Sequence, residues 1–237
     1  MHVVITAGPT REPIDDVRFL SNASTGRMGF AVAAEAARRG HRVTLVSGPV
    51  DLRDPSGVRV VRVETAIEMR DAFVAAFGED GDACVMTAAV SDYRPKERVA
   101  GKLKKGPENI VLELVKNPDI LREAGMMARG RPVVGFALEA LSGTEALAAA
   151  RGKLVDKSAT MIVLNGTGSL GSDAVRGVTL VTREGAVPRG DIDKAGLARE
   201  LVTFLEEHHG STGSGHGTTT GHRTDSDGPN PEGSVRV

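Results

Sequence analysis

Arg18-Phe-Leu-Ser-Asn-Ala-Ser-Thr-Gly-Arg-Met-Gly29 is a polar, glycine-bearing stretch between a short apolar run, Val3-Val-Ile-Thr6, and an Ala-rich run from Phe30 to Arg39. Apolar strand, polar loop and helix start together make an anion cradle, because free backbone N–H groups and the helix dipole both favour negative charge there. A dinucleotide fold would use a short G-x-G-x-x-G loop at this place. Here Gly8 and Gly26 are separated by a long polar insert carrying Thr10, Arg11, Asp15, Arg18 and Asn22. The loop is therefore built for more than holding a phosphate, and Asn22 is the first candidate for chemistry.

Working outward, strands and helices alternate. Gly29–Arg39 reads as a helix ended by Gly40, and Arg42–Ser47 and Val58–Val63 as strands. Ala66–Phe77 reads as a helix stopped at Gly78. Ala83–Val90 is nearly continuous in small and β-branched residues, the pattern of a central parallel strand buried on both faces. This βαβ rhythm predicts an α/β fold with a Rossmann-like, doubly wound, mostly parallel sheet. Ligands of such sheets bind beyond the carboxyl ends of the strands, which puts Gly8, Ser47-Gly48 and Ser91-Asp92 on one rim.

The middle departs from the rhythm. Tyr93–Glu108 is charged, with Lys96, Arg98, Lys102, Lys104, Lys105 and two glycines, and reads as a mobile basic flap leading into a strand over Ile110–Val115. Pro118-Asp119 opens a short helix, with proline in its permitted early position. A strand over Pro132–Ala137, a helix over Thr144–Lys157 and a strand over Met161–Leu164 follow. Val178–Thr182 with Ala186-Val187 reads as a hairpin, and Ile192–Glu207 as a last helix.

Bulk properties bound the function. The 237 residues suit one α/β domain plus a tail: domain 1–207, then a Gly/Ser/Thr/His-rich segment 208–237 expected to be disordered. Four of the six histidines, His208, His209, His216 and His222, fall in that segment, irregularly spaced among glycines, which favours a solvated tail over a metal site. A net charge of -1 does not favour nucleic acid or a polyanionic surface as partner. No run is long and apolar enough to span a membrane, and the N-terminus reads as a strand, so a cytoplasmic location is expected. The single cysteine, Cys84, lies in the most apolar run and reads as a buried strand residue rather than a nucleophile.

Several chemistry-bearing segments converge on the predicted rim: the loop with Arg18, Asn22, Ser24, Thr25 and Gly26; Ala88-Ala-Val-Ser-Asp-Tyr93; the flap Lys102-Leu-Lys-Lys105; Lys116-Asn-Pro-Asp119; and Gly135-Phe-Ala-Leu-Glu139. Phosphates want N–H groups and cations. A flap lysine can follow charge onto a leaving group, and an asparagine amide can donate to a developing oxyanion without titrating. The set suits nucleotide-driven activation of a carboxylate better than hydride transfer. Each segment also has a structural reading: solvated lysines, Asp92 as a turn residue, Phe136 as core, and Arg18 and Asn22 ordering their own loop.

The runs Ile5-Thr-Ala-Gly-Pro-Thr-Arg-Glu-Pro-Ile14, Val17 to Gly29, Thr44-Leu-Val-Ser-Gly-Pro49, Ala88 to Arg94, Lys102 to Lys105, Val115-Lys-Asn-Pro-Asp-Ile120 and Val134-Gly-Phe-Ala137 resemble the phosphopantothenate–cysteine ligase family, in the family's order over about residues 2–205. The resemblance implies CTP-dependent joining of 4′-phosphopantothenate to L-cysteine through an acyl-cytidylate, with Mg²⁺ accompanying the triphosphate. It implies Asn22, Arg18 and Lys102 as catalytic. It also implies nucleotide contacts from Asp92, Lys102, Lys116, Asn117, Pro118, Asp119, Phe136, Lys153 and Lys157, with the Ala88 and Ala89 backbone beside the base. Gly8, Ser24, Thr25 and Gly26 complete the expected binding set, and the metal ligands are unassigned. A homodimer is implied, with a small β region covering the partner's site. A decarboxylase, where present, is expected as a separate protein. The chain departs from the family pattern at Thr160, at Gly166 and in Ala137-Leu-Glu-Ala140, positions expected to touch base and ribose recognition.

Two rival readings remain. An NAD(P)-dependent oxidoreductase would explain Thr25-Gly-Arg-Met-Gly29, but the second strand ends in Ser47 rather than an acidic residue, and Tyr93 is followed by Lys96 without a Tyr-x-x-x-Lys spacing. An inactive nucleotide sensor would retain the fold without the reaction.

Overall fold

In chain order the elements are β1 (His2–Ala7), β2 (Arg11–Pro13), β3 (Phe19–Ser21), α1 (Arg27–Arg38), β4 (Arg42–Ser47), β5 (Arg59–Arg62), α2 (Ala66–Asp80), β6 (Ala83–Met86) and β7 (Tyr93–Pro95). There follow β8 (Leu114–Lys116), α3 (Ile120–Ala128), β9 (Val133–Glu139), α4 (Gly143–Asp156), β10 (Met161–Gly166), β11 (Ala174–Val181), β12 (Ala186–Asp193) and α5 (Lys194–His209). The structure is a computed structural model that describes residues 1–104, 106, 110–139, 143–166, 169, 172 and 174–209.

Eight strands form one sheet in the order β12-β11-β10-β9-β6-β1-β4-β5. The pairs from β10 to β5 are all parallel, and β11 and β12 extend the β10 edge antiparallel. Taken in chain order, the six parallel strands read 3-2-1-4-5-6 across the sheet, the doubly wound arrangement whose switch point lies between the first and fourth. Here that point falls between β1 and β6, in register from Val3 with Ala83 to Thr6 with Met86. All six residues of β1 and all four of β6 are buried, as strands covered on both faces must be.

Helices cover both faces. On one, α1 and α5 pack over Val3, Ile5, Val85 and Val163; on the other, α2, α3 and α4 pack over Val4, Val46, Cys84 and Ile162. With few aromatics the core rests on Val, Ala and Leu, and the stacked pair Phe73–Phe77, centroids 5.3 Å apart, is its bulkiest feature. A capping box between Thr65 and Glu68 starts α2, worth about 1 kcal/mol. The buried Glu12 carboxylate also accepts the Ala66 N–H at 3.0 Å, tying the long first loop to that helix. No helix among the described residues is long and apolar enough to cross a membrane.

The expected fold class stands, with corrections at element ends. Helix α2 runs through Gly78 to Asp80 and stops at Gly81, because Gly78 lies in the helix with only Met127 near its Cβ direction. The strand expected over Ala83–Val90 ends at Met86, where the chain turns into the rim. Ile110–Val115 is a strand only from Leu114, paired antiparallel with β7 as a separate arm. Pro118 precedes the α3 N-cap, Asp119, instead of entering the first turn. The hairpin at the sheet edge is longer than its apolar residues suggested, so Ile192 belongs to β12 and α5 begins at Lys194. Inside the long loop the small hairpin β2–β3 went unforeseen, since three-residue strands leave no periodic trace. His208 and His209 end α5 rather than starting the tail. Residues 210–237, with His216 and His222, and flap residues Lys105 and Glu108 lie outside the described residues.

Candidate active site

At the switch point the loops after β1 and β6 are zipped together. The Gly8 carbonyl accepts the Ala89 N–H at 2.9 Å, Thr10 N–H donates to the Ala89 carbonyl at 3.4 Å, and the buried Thr10 hydroxyl accepts the Ser91 N–H at 3.1 Å. Asn22 Nδ2 donates to the same Ala89 carbonyl at 3.1 Å. Gly8 and Gly26 both have φ near +75°, conformations that suit glycine. Gly26 is the N-cap of α1 and offers no side chain to the helix amides, so its first turn keeps N–H groups for a ligand. Ser24 Oγ accepts the Gly26 N–H at 3.3 Å. Close approach demands two further glycines: a Cβ at Gly29 would stand 2.5 Å from both Ala7 Cβ and Thr87 Oγ1, and one at Gly48 would collide with the Pro9 carbonyl.

Two cavities flank this zip and share Ala88 and Phe136 as a wall. The inner one, about 170 Å³, lies against the α1 N-terminus, with Ser24, Thr25, Gly26 and Ala89 from one side and Asn165, Ser169 and Lys194 from the other. The outer one, about 480 Å³, is lipped by Ser91, Asp92 and the segment Lys116–Leu121. Its lip is held by hydrogen bonds. Asn117 donates its side-chain amide to the Ser91 carbonyl at 2.8 Å, its own N–H goes to the Asp92 carbonyl at 2.8 Å, and its Oδ1 accepts Arg94 Nη1 at 3.1 Å. Asp119 caps α3 by accepting the Arg122 N–H at 3.0 Å, while its other oxygen meets Lys157 Nζ at 2.6 Å. The hydrogen bond from Asp119, and then that from Asp156, hold the Lys157 ammonium above its ordinary pKa.

The flap is strapped across the first loop. Arg18 donates Nη2 to the Leu103 carbonyl at 2.6 Å, and its Nε lies 3.1 Å from Asp15 Oδ2. Burial alone pushes the Asp15 carboxyl up, yet the N–H groups of Val17, Arg18 and Leu103, with the Arg18 charge, hold it below its ordinary value. The Lys102 side chain is exposed and makes no ion pair among the described residues.

Of the residues singled out from sequence, Ala88, Asp92, Lys116, Asn117, Pro118, Asp119 and Phe136 line the outer cavity, and Ser24, Thr25, Gly26, Ala88, Ala89 and Phe136 the inner one. Gly8 and the exposed Asn22 line neither cavity but are bonded to Ala89, which lines the inner one. Arg18, from the first loop, reaches the flap at the Leu103 carbonyl, next to Lys102. Lys157 reaches the outer lip only through Asp119, and Lys153 sits one turn earlier on α4 without lining either cavity. Thr160 is not at the site: it bonds Val133 at the opposite end of β10 from Asn165, so the departure there does not bear on the rim. Gly166 ends β10 opposite Glu139, and Ala140 lies outside the described residues. Asn165 and Lys194 went unpredicted as site residues. The rim rule would have found Asn165, at the carboxyl end of the next parallel strand; Lys194 comes in from the antiparallel edge, which that rule does not cover. Burial pushes the Cys84 thiol far up, as a strand residue requires. Ser47, at the end of β4, spends its hydroxyl on the Gly48 carbonyl at 2.8 Å, where an NAD(P) enzyme would present a carboxylate to the ribose.

Comparison with known proteins gives this geometry relatives. The family model described as the DNA/pantothenate metabolism flavoprotein C-terminal domain matches residues 1–208. The coenzyme A biosynthesis bifunctional protein CoaBC of Vibrio parahaemolyticus is 40% identical over 209 residues, 85% of this chain and 50% of that protein. CoaBC of Escherichia coli K12 is 46% identical over 169 residues, 70% of this chain and 41% of that protein. The chain thus spans about half the length of these relatives or less. A crystal structure of the C-terminal domain of CoaBC superposes with a TM-score of 0.73 at 38% identity, covering 87% of this chain and 94% of that one.

Proposed function

The chain belongs to the family of the DNA/pantothenate metabolism flavoprotein C-terminal domain, and on that premise we propose that it is a phosphopantothenate–cysteine ligase acting in coenzyme A biosynthesis. The carboxylate of 4′-phosphopantothenate attacks the α-phosphate of CTP, releasing pyrophosphate and leaving an acyl-cytidylate. The amine of L-cysteine then attacks the acyl carbon, and CMP departs with the bond electrons.

The observation that carries this reading is the two-chambered rim: an inner cavity under the α1 amides and an outer one with a charged lip, joined at Ala88 and Phe136. Two chambers at one wall suit a nucleotide and an acyl substrate meeting at a single phosphorus, which gains from proximity. Phe136 is a face for the base beside the Ala88 and Ala89 backbone. Asp92, Lys116, Asn117, Pro118 and Asp119 form the nucleotide lip, with Lys153 and Lys157 behind it. The Asn22 amide beside Ala89 donates to the oxyanion of the acyl intermediate. Lys102 follows charge onto the leaving pyrophosphate in the first step, and Arg18 serves the second.

Mg²⁺ would travel on the triphosphate's own oxygens, completing its shell with water. Among the described residues no group of three or more His, Cys, Asp or Glu could hold a metal. The partner of this chain is proposed to be a second copy, docking through the β7–β8 arm, where Tyr93, Leu112 and Leu114 are exposed and Val111 is 93% exposed. A phosphopantothenoylcysteine decarboxylase would consume the product.

The test is pyrophosphate release by the purified protein with Mg²⁺, 4′-phosphopantothenate and cysteine, comparing CTP with ATP. Release with CTP that requires phosphopantothenate is the expected result. Release with ATP alone would move the nucleotide assignment, and release with neither would favour a binding protein without the reaction.

A further inference from the structure

Asp15 has a side chain wholly shielded from solvent within a loop whose neighbours, Asp16 and Val17, are exposed. Both its oxygens are saturated with donors. Oδ1 accepts the N–H groups of Val17 at 2.8 Å and Arg18 at 2.7 Å. Oδ2 accepts the Leu103 N–H at 3.0 Å and faces Arg18 Nε at 3.1 Å. Since Arg18 Nη2 also donates to the Leu103 carbonyl, both backbone groups of Leu103 end on the Asp15–Arg18 pair. Leu103 follows Lys102 directly. On the other side of Lys102, Gly101 exchanges two bonds with Asp16: its N–H meets Asp16 Oδ2 at 2.8 Å and its carbonyl accepts the Asp16 N–H at 3.1 Å. Lys102 is thus clamped between two residues fixed to Asp15 and Asp16.

We propose that Asp15 is a positioning residue that couples the two half-reactions, holding the Arg18 guanidinium and the peptide beside Lys102 as one hydrogen-bonded unit. The proposal rests on the ligase reading above. A carboxylate withdrawn from water is stable only with its donors in place. The seated flap supplies one of them and Arg18 another. Seating the flap and aiming Arg18 are therefore a single event: the lysine of the first step and the arginine of the second are delivered together.

The experiment compares Asp15→Asn, Asp16→Asn, Arg18→Gln and the double variant Asp15→Asn/Arg18→Gln. Asparagine at 15 would turn an NH₂ toward two donors, the Leu103 N–H and Arg18 Nε, so the unit breaks. Two readouts are needed: tryptic cleavage after Lys102 and Lys104 in the native protein, and the two half-reactions measured separately. In Asp15→Asn, cleavage rises, and pyrophosphate release and transfer to cysteine both fall in kcat by about tenfold, the size expected for losing a charge-assisted hydrogen bond. The KM for CTP stays within about twofold, since the nucleotide lip of Asp92 and Lys116 to Asp119 is untouched. The double variant is no slower in transfer than Arg18→Gln alone, because the two act as a unit. Asp16→Asn, which bonds no Arg18 atom, weakens the Gly101 side of the clamp, so cleavage rises and both half-reactions slow together, by less than in Asp15→Asn; should Asp15→Asn fail to fold, this variant still tests the clamp, and loss of only one half-reaction in it would overturn the proposal. Unchanged cleavage, loss of only one half-reaction in Asp15→Asn, or additive losses in the double variant would each overturn the proposal. A wild-type protein that releases no pyrophosphate with CTP or ATP sinks the ligase reading instead. The cleavage comparison then decides the clamp by itself, and unchanged cleavage overturns it.

Discussion

The loop after β1 and the flap after β7 reach the same rim by opposite means. The first is fixed by shape: Gly29 and Gly48 admit no Cβ, and backbone bonds between Gly8, Thr10 and Ala89 close it. The second is fixed by charge: Asp15 holds Leu103 and Asp16 holds Gly101, while Arg98 and Lys96 pair with the exposed Asp16 and Glu113 at 2.8 and 2.7 Å. Steric fixation is indifferent to pH and salt and fails abruptly when a methyl group is added. Carboxylate fixation is graded, so it suits a part that must seat and release. The rim therefore combines a rigid wall with a tunable cover.

The strongest way to break the comparison is at the wall. Gly48→Ala should cost about 3 kcal/mol or more, through the clash with the Pro9 carbonyl, and lower the melting temperature by roughly 6–12 °C. A melt within 2 °C of the wild type would remove the steric account.

Acid tests charge fixation elsewhere in the fold. The hydrogen bond from Arg38, against the opposing effect of burial, and then that from Arg39 hold the Glu35 carboxyl down at about 2. Arg39 also reaches Glu206 at 2.7 Å, stapling α1 to α5. A carboxyl depressed in the folded state stabilises above its unfolded pKa, near 4.5, and loses that contribution as pH falls toward 2. Because Arg38 is largely exposed, the loss should be on the order of 1–2 kcal/mol. Glu35→Gln should abolish that part of the slope in denaturant titrations over this window.

The rim itself offers a sharper contrast. Asp15 is also held below its ordinary value, so its grip on Leu103 is present above the ordinary carboxylate range and is lost as pH falls through the lowered pKa. Amide exchange, corrected for its intrinsic pH dependence, should show Leu103 losing protection as pH falls below the ordinary carboxylate range while Ala89, bonded to the Gly8 carbonyl, keeps it. Parallel loss at both amides would mean that the flap and wall are one unit.

The smallest effect belongs to the exposed pair at the base of the arm. Glu113→Gln should change stability by less than about 0.5 kcal/mol, and by less again in high salt. A larger effect would mean that exposed ion pairs, rather than the buried Asp15, hold the cover.

Much of this was legible from residues. The apolar runs of β1, β4 and β6 predict the doubly wound sheet, and the rim rule gathers Gly8, Ala88, Asp92 and Lys116 at one edge. Other features were not legible, for identifiable reasons. Asn117 and Asp119 read as ligand groups, yet their side chains also hold the lip together, through Arg94, Ser91 and Lys157. Thr160 reads as near the site because it follows Lys157 closely, but it precedes the first residue of β10, at the far end of that strand from Asn165. Lys194 enters from an antiparallel edge whose length the alternation of Val178–Thr182 understated.

By itself the sequence determined the sheet, its parallel strands and the carboxyl-end rim, because burial on two faces and glycine at close approaches leave patterns only a few residues long. Tertiary structure alone decided that Arg18 and the flap beside Lys102 form one unit. That contact spans 85 residues and joins two polar loops with no periodicity of their own. Where such loops meet depends on how the strands between them are ordered and how the arm folds back, and no local preference of either loop encodes it.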